Sequence, residues 1–294
     1  MEKKTYHTSI IFGLTIILFG VLLAVLPWKQ KNKNPVIDIT GKFEAENFIR
    51  AVDLKGESFA KCDGKMLGAV VPHHMVGGKF IADFFSQVHD IDTVVVVGPN
   101  HFEKGDSPII TADSDWKTAK GTVFLQNDFV DGLLSKKIAS AQNETIKADH
   151  SIGNILPFIS YYLPGAKVVP IILKKNVPEE KFENLLQYII NQQKNGRLII
   201  VGSIDFSHYL SAQDSEKKDT QTIKAIEEKN YGLINSFHDD NLDSPATLKL
   251  VLRDVNAMAS NKLIWQNSNS FKVLGGDINN VTSYFELVFC KNEQ

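Results

Sequence analysis

Histidine and aspartate side chains follow three short apolar runs of the chain, each at the point where the run ends. His73 and His74 follow MLGAVVP, His101 follows DTVVVVGPN, and Asp205 and His208 follow RLIIVGSI. If these runs are parallel strands, the loops at their carboxyl ends converge on one crevice, so these side chains are expected to meet. Imidazole together with carboxylate suits a divalent metal such as iron, copper or zinc. The same groups could instead act as acid and base without a metal.

A fourth candidate, His150, lies in the segment ADHSI. A single histidine after a strand is usually a local hydrogen-bonding residue, but histidines at three strand ends together with His150 favour a functional pocket. Only one of His73 and His74 is expected to face that pocket, because adjacent side chains point in different directions. The remaining three histidines follow no apolar run and are predicted to lie on the surface: His7, His89 and His238.

The elements that must position these residues alternate along the chain. Four apolar runs predict strands, and helix-compatible segments lie between them. Runs of consecutive apolar residues, rather than strict alternation, indicate strands that are covered on both faces. The sequence therefore predicts an α/β fold with a mainly parallel central sheet flanked by helices. The predicted strands cover residues 66–72, 92–99, 167–173 and a run beginning at 197.

Further elements are predicted towards the carboxyl terminus. Residues 179–194 form an amphipathic pattern, and helices are also expected over 215–237 and 244–259. The segment SYFELVFC, at 283–290, predicts a final strand that is antiparallel and lies at an edge of the sheet.

The amino-terminal part of the chain predicts a membrane segment. Residues 8–28 contain no charge and are long enough to cross the hydrocarbon layer. A cleaved signal peptide is the alternative, but the run exceeds the usual apolar core of such peptides and no A-x-A-like site precedes Lys29. We therefore expect an uncleaved single-pass anchor. The flanking lysines barely discriminate between orientations, and an extracytoplasmic domain is expected because amino-terminal anchors most often leave the following domain outside.

The expected organisation is thus a tail at 1–7, an anchor at 8–28, a linker at 29–60 with one short helix near 44–51, and one α/β domain at 61–294. With 43% hydrophobic residues the chain has enough apolar material for such a domain. A formal charge of -2 gives no electrostatic reason to expect nucleic acid as a partner.

The chain has two cysteines, Cys62 and Cys290, which are too few and too far apart for a zinc ribbon or a disulfide-dense scaffold. A bridge between them requires their segments to be neighbours in space. The sequence alone favours two separate cysteines.

The motifs PHH, GPNH, DHSI…LPF and S-x-DFSH occur in this order, and their order and spacing resemble the Memo-like family, known in prokaryotes as AmmeMemoRadiSam system protein B. The resemblance extends from about residue 67 to 289. That family is similar in fold to class III extradiol dioxygenases of the LigB type, which implies an α/β sheet with a pocket like that of a non-haem iron protein. A dioxygenase reaction does not follow from the fold alone.

By this resemblance, His73 matches the histidine of the family's PHAG motif and His101 that of its GPSH motif, and both would be metal ligands. His150, Asp205 and His208 match groups that line the same pocket, and they would act as acid, base or hydrogen-bonding groups. PHAG becomes PHHM in this chain, which is expected to reshape the entrance.

The family's late cysteine ligand is replaced in this chain by Asp243, so the resemblance implies two histidines and one carboxylate. This set suits non-haem Fe(II), with copper as the other candidate. Alternatively, Asp243 and Ser244 cap the helix that begins at Pro245, because Asp or Ser before Pro is a common helix start.

Three functions follow as hypotheses. The first is a metal-dependent, dioxygenase-like redox enzyme, and the second is a non-catalytic protein that holds a small molecule, peptide or metal. A hydrolase with Ser203 or Ser207 as nucleophile is disfavoured, because neither serine lies in a G-x-S-x-G elbow. The family name implies AMMECR-like and radical SAM proteins as pathway partners.

Overall fold

A sheet of eleven strands carries the loops on which the candidate residues lie. The computed structural model describes residues 34–41, 45–55 and 62–292. The strands are β1 (Val36–Asp38), β2 (Lys65–Val71), β3 (Thr93–Pro99), β4 (Ile109–Thr111), β5 (Asp115–Thr118), β6 (Gly121–Leu125), β7 (Ser140–Ala141), β8 (Lys167–Leu173), β9 (Leu198–Ser203), β10 (Lys262–Asn269) and β11 (Ser283–Lys291).

Helices cover both faces of this sheet. They are α1 (Ala45–Leu54), α2 (Gly78–Gln87), α3 (Asn127–Ser135), α4 (Asn143–Ala148), α5 (His150–Gly153), α6 (Leu156–Tyr162), α7 (Glu179–Asn195), α8 (Ala212–Glu227), α9 (Tyr231–Asn235), α10 (Pro245–Ala257) and α11 (Ser270–Leu274), and a 3₁₀ turn (Met75–Gly77) precedes α2.

The sheet has a parallel centre that is flanked on each side by an antiparallel pair of strands. The strand order is β1-β5-β6-β8-β3-β9-β2-β11-β10, and the pairs from β6 to β2 are all parallel. β5 is antiparallel to β6, and β11 is antiparallel to both of its neighbours. The predicted α/β class with a large central sheet flanked by helices is therefore confirmed, although the whole sheet is mixed.

β3 shows why its sequence is a continuous apolar run. Val95 and Val97 belong to one hydrophobic core, and Val94 and Val96 belong to a second core on the opposite face. Because successive side chains of a strand point to opposite faces, a strand between two cores needs an apolar residue at every position. α7 and α10 contribute to the first core, whereas α1, α2 and α6 contribute to the second.

The segment predicted as a linker contributes to the second core. β1 pairs with β5 in parallel, and α1 buries Phe48 and Ala51. The short helix predicted near 44–51 is present as α1, and it ends at Leu54. The described residues from 34 onwards therefore belong to one compact unit.

The carboxyl-terminal strand is antiparallel as predicted, but it does not lie at the edge. β10, which the sequence analysis did not predict, pairs with β11 along its whole length and forms the edge instead. β11 also pairs with β2, which brings Cys62 and Cys290 together with a Cα–Cα distance of 5.9 Å in a disulfide. The expectation of two separate cysteines was wrong, because the pairing of β11 with β2 was not visible in the sequence.

The predicted helix over 215–237 is divided into α8 and α9, and Lys229 between them has a φ of +53°, which a continuing helix does not allow.

In the part of the chain that the structure describes, none of the helices is long and apolar enough to cross a membrane. The predicted anchor at 8–28 lies outside the described residues.

Candidate metal centre

The candidate residues lie on loops that follow three adjacent strands. β3, β9 and β2 are neighbours in the parallel part of the sheet, and His101, Asp205 and His73 each lie two residues beyond the end of one of them. His150 is the first residue of α5, and Asp243 lies just before α10. The convergence expected at the carboxyl ends of parallel strands is therefore present.

Three donor atoms predicted to bind one metal face one another. The Nε2 of His73 lies 3.2 Å from the Oδ2 of Asp243, and the Nε2 of His101 lies 3.6 Å from the same oxygen. The two imidazole rings are 4.9 Å apart and nearly perpendicular. His73, His101 and His150 form one group able to hold a metal ion, and His73, Asp205 and Asp243 form a second.

A buried hydroxyl sets the tautomer of His73. Ser203 Oγ donates its hydrogen to the carbonyl oxygen of Ser151 at 2.5 Å, so it can only accept from the Nδ1 of His73, which lies 3.2 Å away. His73 is 1% exposed, so water does not compete for this contact, and the Nδ1 therefore carries a hydrogen. Its Nε2 then faces the carboxylates of Asp205 and Asp243, an arrangement that favours a cation between them.

Asp149 orients His101 in a similar way. Its Oδ1 lies 2.8 Å from the Nδ1 of His101, and its Oδ2 accepts the backbone N–H of the same residue at 2.8 Å. Burial alone would raise the pKa of Asp149, but the hydrogen bonds from His101 lower it to about 2. Burial lowers the pKa of His101, yet hydrogen bonds to Asp149 and Asp243 raise it to about 10. The Nδ1 of His101 is thus committed to Asp149, which leaves Nε2 for the centre.

Asp205 holds the loop that follows β2. It is 3% exposed, and its Oδ1 accepts the backbone N–H groups of His73 at 3.1 Å and His74 at 3.3 Å. Burial opposes ionisation of Asp205, but the neighbouring histidines His73 and His208 hold its pKa below the usual value. The carboxylate predicted as an acid or base therefore also has a structural role, since it positions His73.

Asp243 does not cap α10. The cap is Ser244, whose Oγ accepts the backbone N–H of Thr247 at 3.3 Å. The Oδ2 of Asp243 instead accepts the backbone N–H of Asp205 at 3.2 Å while it faces both histidines. Its Oδ1 is buried and has no hydrogen-bond partner among the described residues. Two histidines and a carboxylate with a free buried oxygen fit a divalent cation.

The other histidines have unequal places. The ring of His150 stacks on that of His101 at 4.4 Å, and burial together with the neighbouring His73 and His101 lowers its pKa to about 4. His208 belongs to neither group that could hold a metal, and it lines the adjoining cavity. His74 turns away from the donors, because its Nδ1 is hydrogen-bonded to the Tyr284 hydroxyl at 2.7 Å.

The serines of the hydrolase hypothesis are both buried. The hydroxyl of Ser203 is hydrogen-bonded to His73. The hydroxyl of Ser207 is hydrogen-bonded to Ser215, Asp219 and Ser283. Neither hydroxyl is accessible to a substrate, so the structure offers no support for a serine nucleophile. His89 is exposed as predicted, whereas His238 is exposed but lies on the wall of the cavity.

The supporting roles of Asp149 and Ser203 were not predicted from the sequence. Asp149 directly precedes His150 in the segment DHSI, and Ser203 begins the segment S-x-DFSH. Both therefore lie in motifs that were singled out, but the hydrogen bonds that give them a role cross between elements.

A cavity of about 700 Å³ adjoins the donors. His101 and Asp243 lie on its wall, together with residues from the loop before α7, the first turns of α7 and α10, and the segment around Tyr209 and His238. A cavity of this size accommodates an organic ligand with one end near the donor atoms.

These features define an α/β protein with a histidine and carboxylate centre at the carboxyl ends of its parallel strands. The chain matches the family described as Memo-like protein over residues 42–269, and it belongs to that family.

Several curated relatives carry the same family description. A MEMO1 family protein of Methanosarcina mazei is 34% identical over 167 residues, which cover 55% of this chain and 61% of that relative. One from Methanosarcina barkeri is 28% identical over 246 residues, covering 76% of this chain and 86% of the relative. The match to the first of these thus spans less than two thirds of its length.

Proposed function

We propose that this Memo-like protein binds one divalent metal ion through His73, His101 and Asp243, with iron favoured over copper, and that it uses the ion in a redox reaction. The observation that carries the proposal is the meeting of two Nε2 atoms with one carboxylate oxygen. Two imidazoles and one carboxylate leave open positions on the ion, as in non-haem Fe(II) oxygenases. An iron or copper ion held there would supply one-electron chemistry and positions for substrate.

The residues around the donors have separate tasks. Ser203 and Asp149 keep the two Nε2 atoms directed at the centre. His150 stacks on His101, and its lowered pKa keeps it neutral at physiological pH, so it is able to accept a proton from a ligand in the pocket. His208 lies on the cavity wall, where it is placed to bond to that ligand.

Elemental analysis of anaerobically purified full-length protein tests the metal site. We expect stoichiometric iron or copper in the wild type and its loss from the His73→Ala, His101→Ala double variant. His89→Ala is the matched control, since that histidine is exposed and belongs to neither group of donors. Metal-free wild-type protein from a metal-replete preparation, or full metal retention by the double variant, contradicts the proposal.

Asp243→Ala tests the third ligand. We expect this variant to lose metal, whereas Ser244→Ala is expected to keep it and only to weaken the start of α10. Metal retained at wild-type affinity by Asp243→Ala would remove Asp243 from the ligand set.

A non-catalytic protein that holds a ligand or metal is the second candidate. It is favoured by the change of the PHAG motif to PHHM, which places His74 against Tyr284 beside the centre. Oxygen consumption by the metal-loaded protein across a panel of oxidisable substrates separates the two functions. Turnover that is lost in the His73 and His101 variants supports the enzyme, and metal binding without turnover supports the second candidate.

We also propose that the chain is anchored in a membrane by residues 8–28 and that its α/β domain lies outside the cytoplasm. The Cys62–Cys290 disulfide supports this location, because disulfides form and persist mainly in oxidising compartments. A protease-protection assay tests the orientation. If the domain is protected from protease added outside intact cells, the proposed orientation is wrong.

AMMECR-like and radical SAM proteins are proposed as pathway partners on the strength of the family alone. Co-purification with the full-length chain tests the association. An extracytoplasmic domain would separate this chain from an oxygen-sensitive cytoplasmic enzyme, so the orientation assay also bears on this proposal.

A further inference from the structure

We infer that the cavity beside the metal centre binds an organic anion whose charged group lies at Lys249. This inference deepens the proposed function, and it rests on that function only for the position of the ligand's other end. The cavity of about 700 Å³ has His101 and Asp243 on its wall and Lys249 elsewhere on the same wall. A single ligand can therefore contact both the donor atoms and the lysine.

Lys249 is a buried cation whose anionic partner is exposed. The residue is 8% exposed, and its Nζ donates to the two carboxylate oxygens of Glu179 at 3.2 and 3.3 Å. The side chain of Glu179 is 66% exposed, so it can turn into solvent at little cost. A buried ammonium still needs an anion, and a ligand carboxylate or phosphate in the cavity can replace Glu179.

Two helices reinforce this preference. α7 begins at Glu179 and α10 begins at Pro245, and residues from the first turn of each line the cavity. The amino-terminal end of a helix carries a partial positive charge and favours anions. Lys249 lies about one turn into α10, so the ammonium and both helix ends favour the same ligand charge.

The rest of the cavity suits an aromatic body. Phe182 and Phe237 lie on its wall, and the Nζ of Lys249 lies 4.4 Å from the centre of the Phe182 ring. Tyr209 also lies on the wall and is 77% exposed. Its backbone φ is +58°, a conformation that residues other than glycine rarely adopt. An aromatic carboxylate or phosphate therefore matches the cavity in both its charged and its apolar parts.

A purely structural role for Lys249 is the competing explanation. Lys249 and Arg253 of α10 face Glu179 and Glu183 of α7, and these ion pairs join the two helices. Arg253 belongs to the same interface but does not line the cavity. Arg253→Met therefore weakens the helix pairing without removing a residue of the cavity wall, and it is the matched control.

Calorimetric titration of the full-length protein with benzoate, phenyl phosphate and neutral benzamide tests the inference. We expect at least one anion to bind tenfold or more tightly than benzamide, because a charge-assisted hydrogen bond is gained. Lys249→Met should reduce the affinity for that anion about tenfold or more, and Arg253→Met should leave it unchanged. Glu179→Gln should increase it severalfold, since the lysine loses its competing partner. The stronger of the two anions identifies carboxylate or phosphate as the ligand group.

Equal affinities for anions and benzamide, no binding of any probe, or unchanged anion affinity in Lys249→Met would overturn the inference. If Lys249→Met does not fold, unchanged or weaker anion binding by Glu179→Gln overturns it instead. Metal content measured on the same samples separates this result from the proposed function. Anion discrimination in protein that binds no metal would refute the metal proposal alone, and metal-loaded protein without discrimination would refute the anion site alone.

Discussion

Replacement of Asp149 by Asn tests how far the metal centre depends on a residue that is not a ligand. The Asp149 carboxylate receives the Nδ1–H of His101 at 2.8 Å and the backbone N–H groups of His101 and Ser151. Asn has nearly the same size, keeps one acceptor oxygen and is as good a helix cap as Asp, so α5 should still form. What is lost is the negative charge that orients His101 and increases the basicity of its Nε2.

The size of the effect follows from that hydrogen bond. A hydrogen bond to a charged group contributes about 1.5–3 kcal/mol, and loss of such a partner behind a ligating histidine typically weakens metal binding about 10- to 100-fold. Since each factor of ten corresponds to about 1.4 kcal/mol, the two ranges agree. We expect Asp149→Asn to raise the Kd for Fe(II) by this factor.

Anaerobic titration of the full-length protein with Fe(II) against a competing chelator measures this Kd. Asp92→Asn is the control, because Asp92 forms an exposed ion pair with Arg197 far from the donors, and such pairs contribute little. If His101→Ala loses the metal but Asp149→Asn leaves the Kd for Fe(II) unchanged, the role assigned to Asp149 is refuted.

Three further predictions concern other parts of the structure. Ser203→Ala should weaken Fe(II) binding several-fold, since the tautomer of His73 is no longer set by Ser203, and the same chelator titration measures it. Burial raises the pKa of Glu286 from its ordinary value of 4.5 to about 9. Between these two pH values the folded state keeps a proton that the unfolded chain has lost. The free energy of unfolding should therefore fall with rising pH, by up to about 1.4 kcal/mol per pH unit. Glu286→Gln should remove that slope in urea unfolding between pH 5 and 8, and an unchanged slope would contradict the assignment. Cys62→Ser should lower the free energy of unfolding by roughly 2–5 kcal/mol, because the lost disulfide closes a long loop, and equal stability of variant and wild type under non-reducing conditions would count against the bridge.

The parallel centre of the sheet and the general location of the site were predictable from local residue patterns. A strand that lies between two cores must be apolar at every position, and Val94–Val97 display that requirement directly. Because parallel strands end at one edge, the positions of His73, His101 and Asp205 already predicted a common site. Local chemistry also marked the start of α10, where Ser244 precedes Pro245.

Which of these side chains face one another depends on contacts between distant elements. Asp243 had two possible roles in the sequence, and its backbone bonds with Asp205 turn its carboxylate towards the histidines while Ser244 takes the cap. The support from Asp149 to His101 crosses between loops, so no sequence pattern reveals it.

The edge strand β10 and the Cys62–Cys290 bridge depended on the tertiary structure for the same reason. β10 lies at the edge of the sheet, and most of its residues are partly or fully exposed. Its segment LIWQNSN therefore has no continuous apolar run to mark a strand. The bridge exists because β11 returns antiparallel to β2, and strand pairing over more than 200 residues of separation is set by the packing of the whole sheet. Local residue patterns specify elements, whereas contacts between distant elements are specified only by the assembled core.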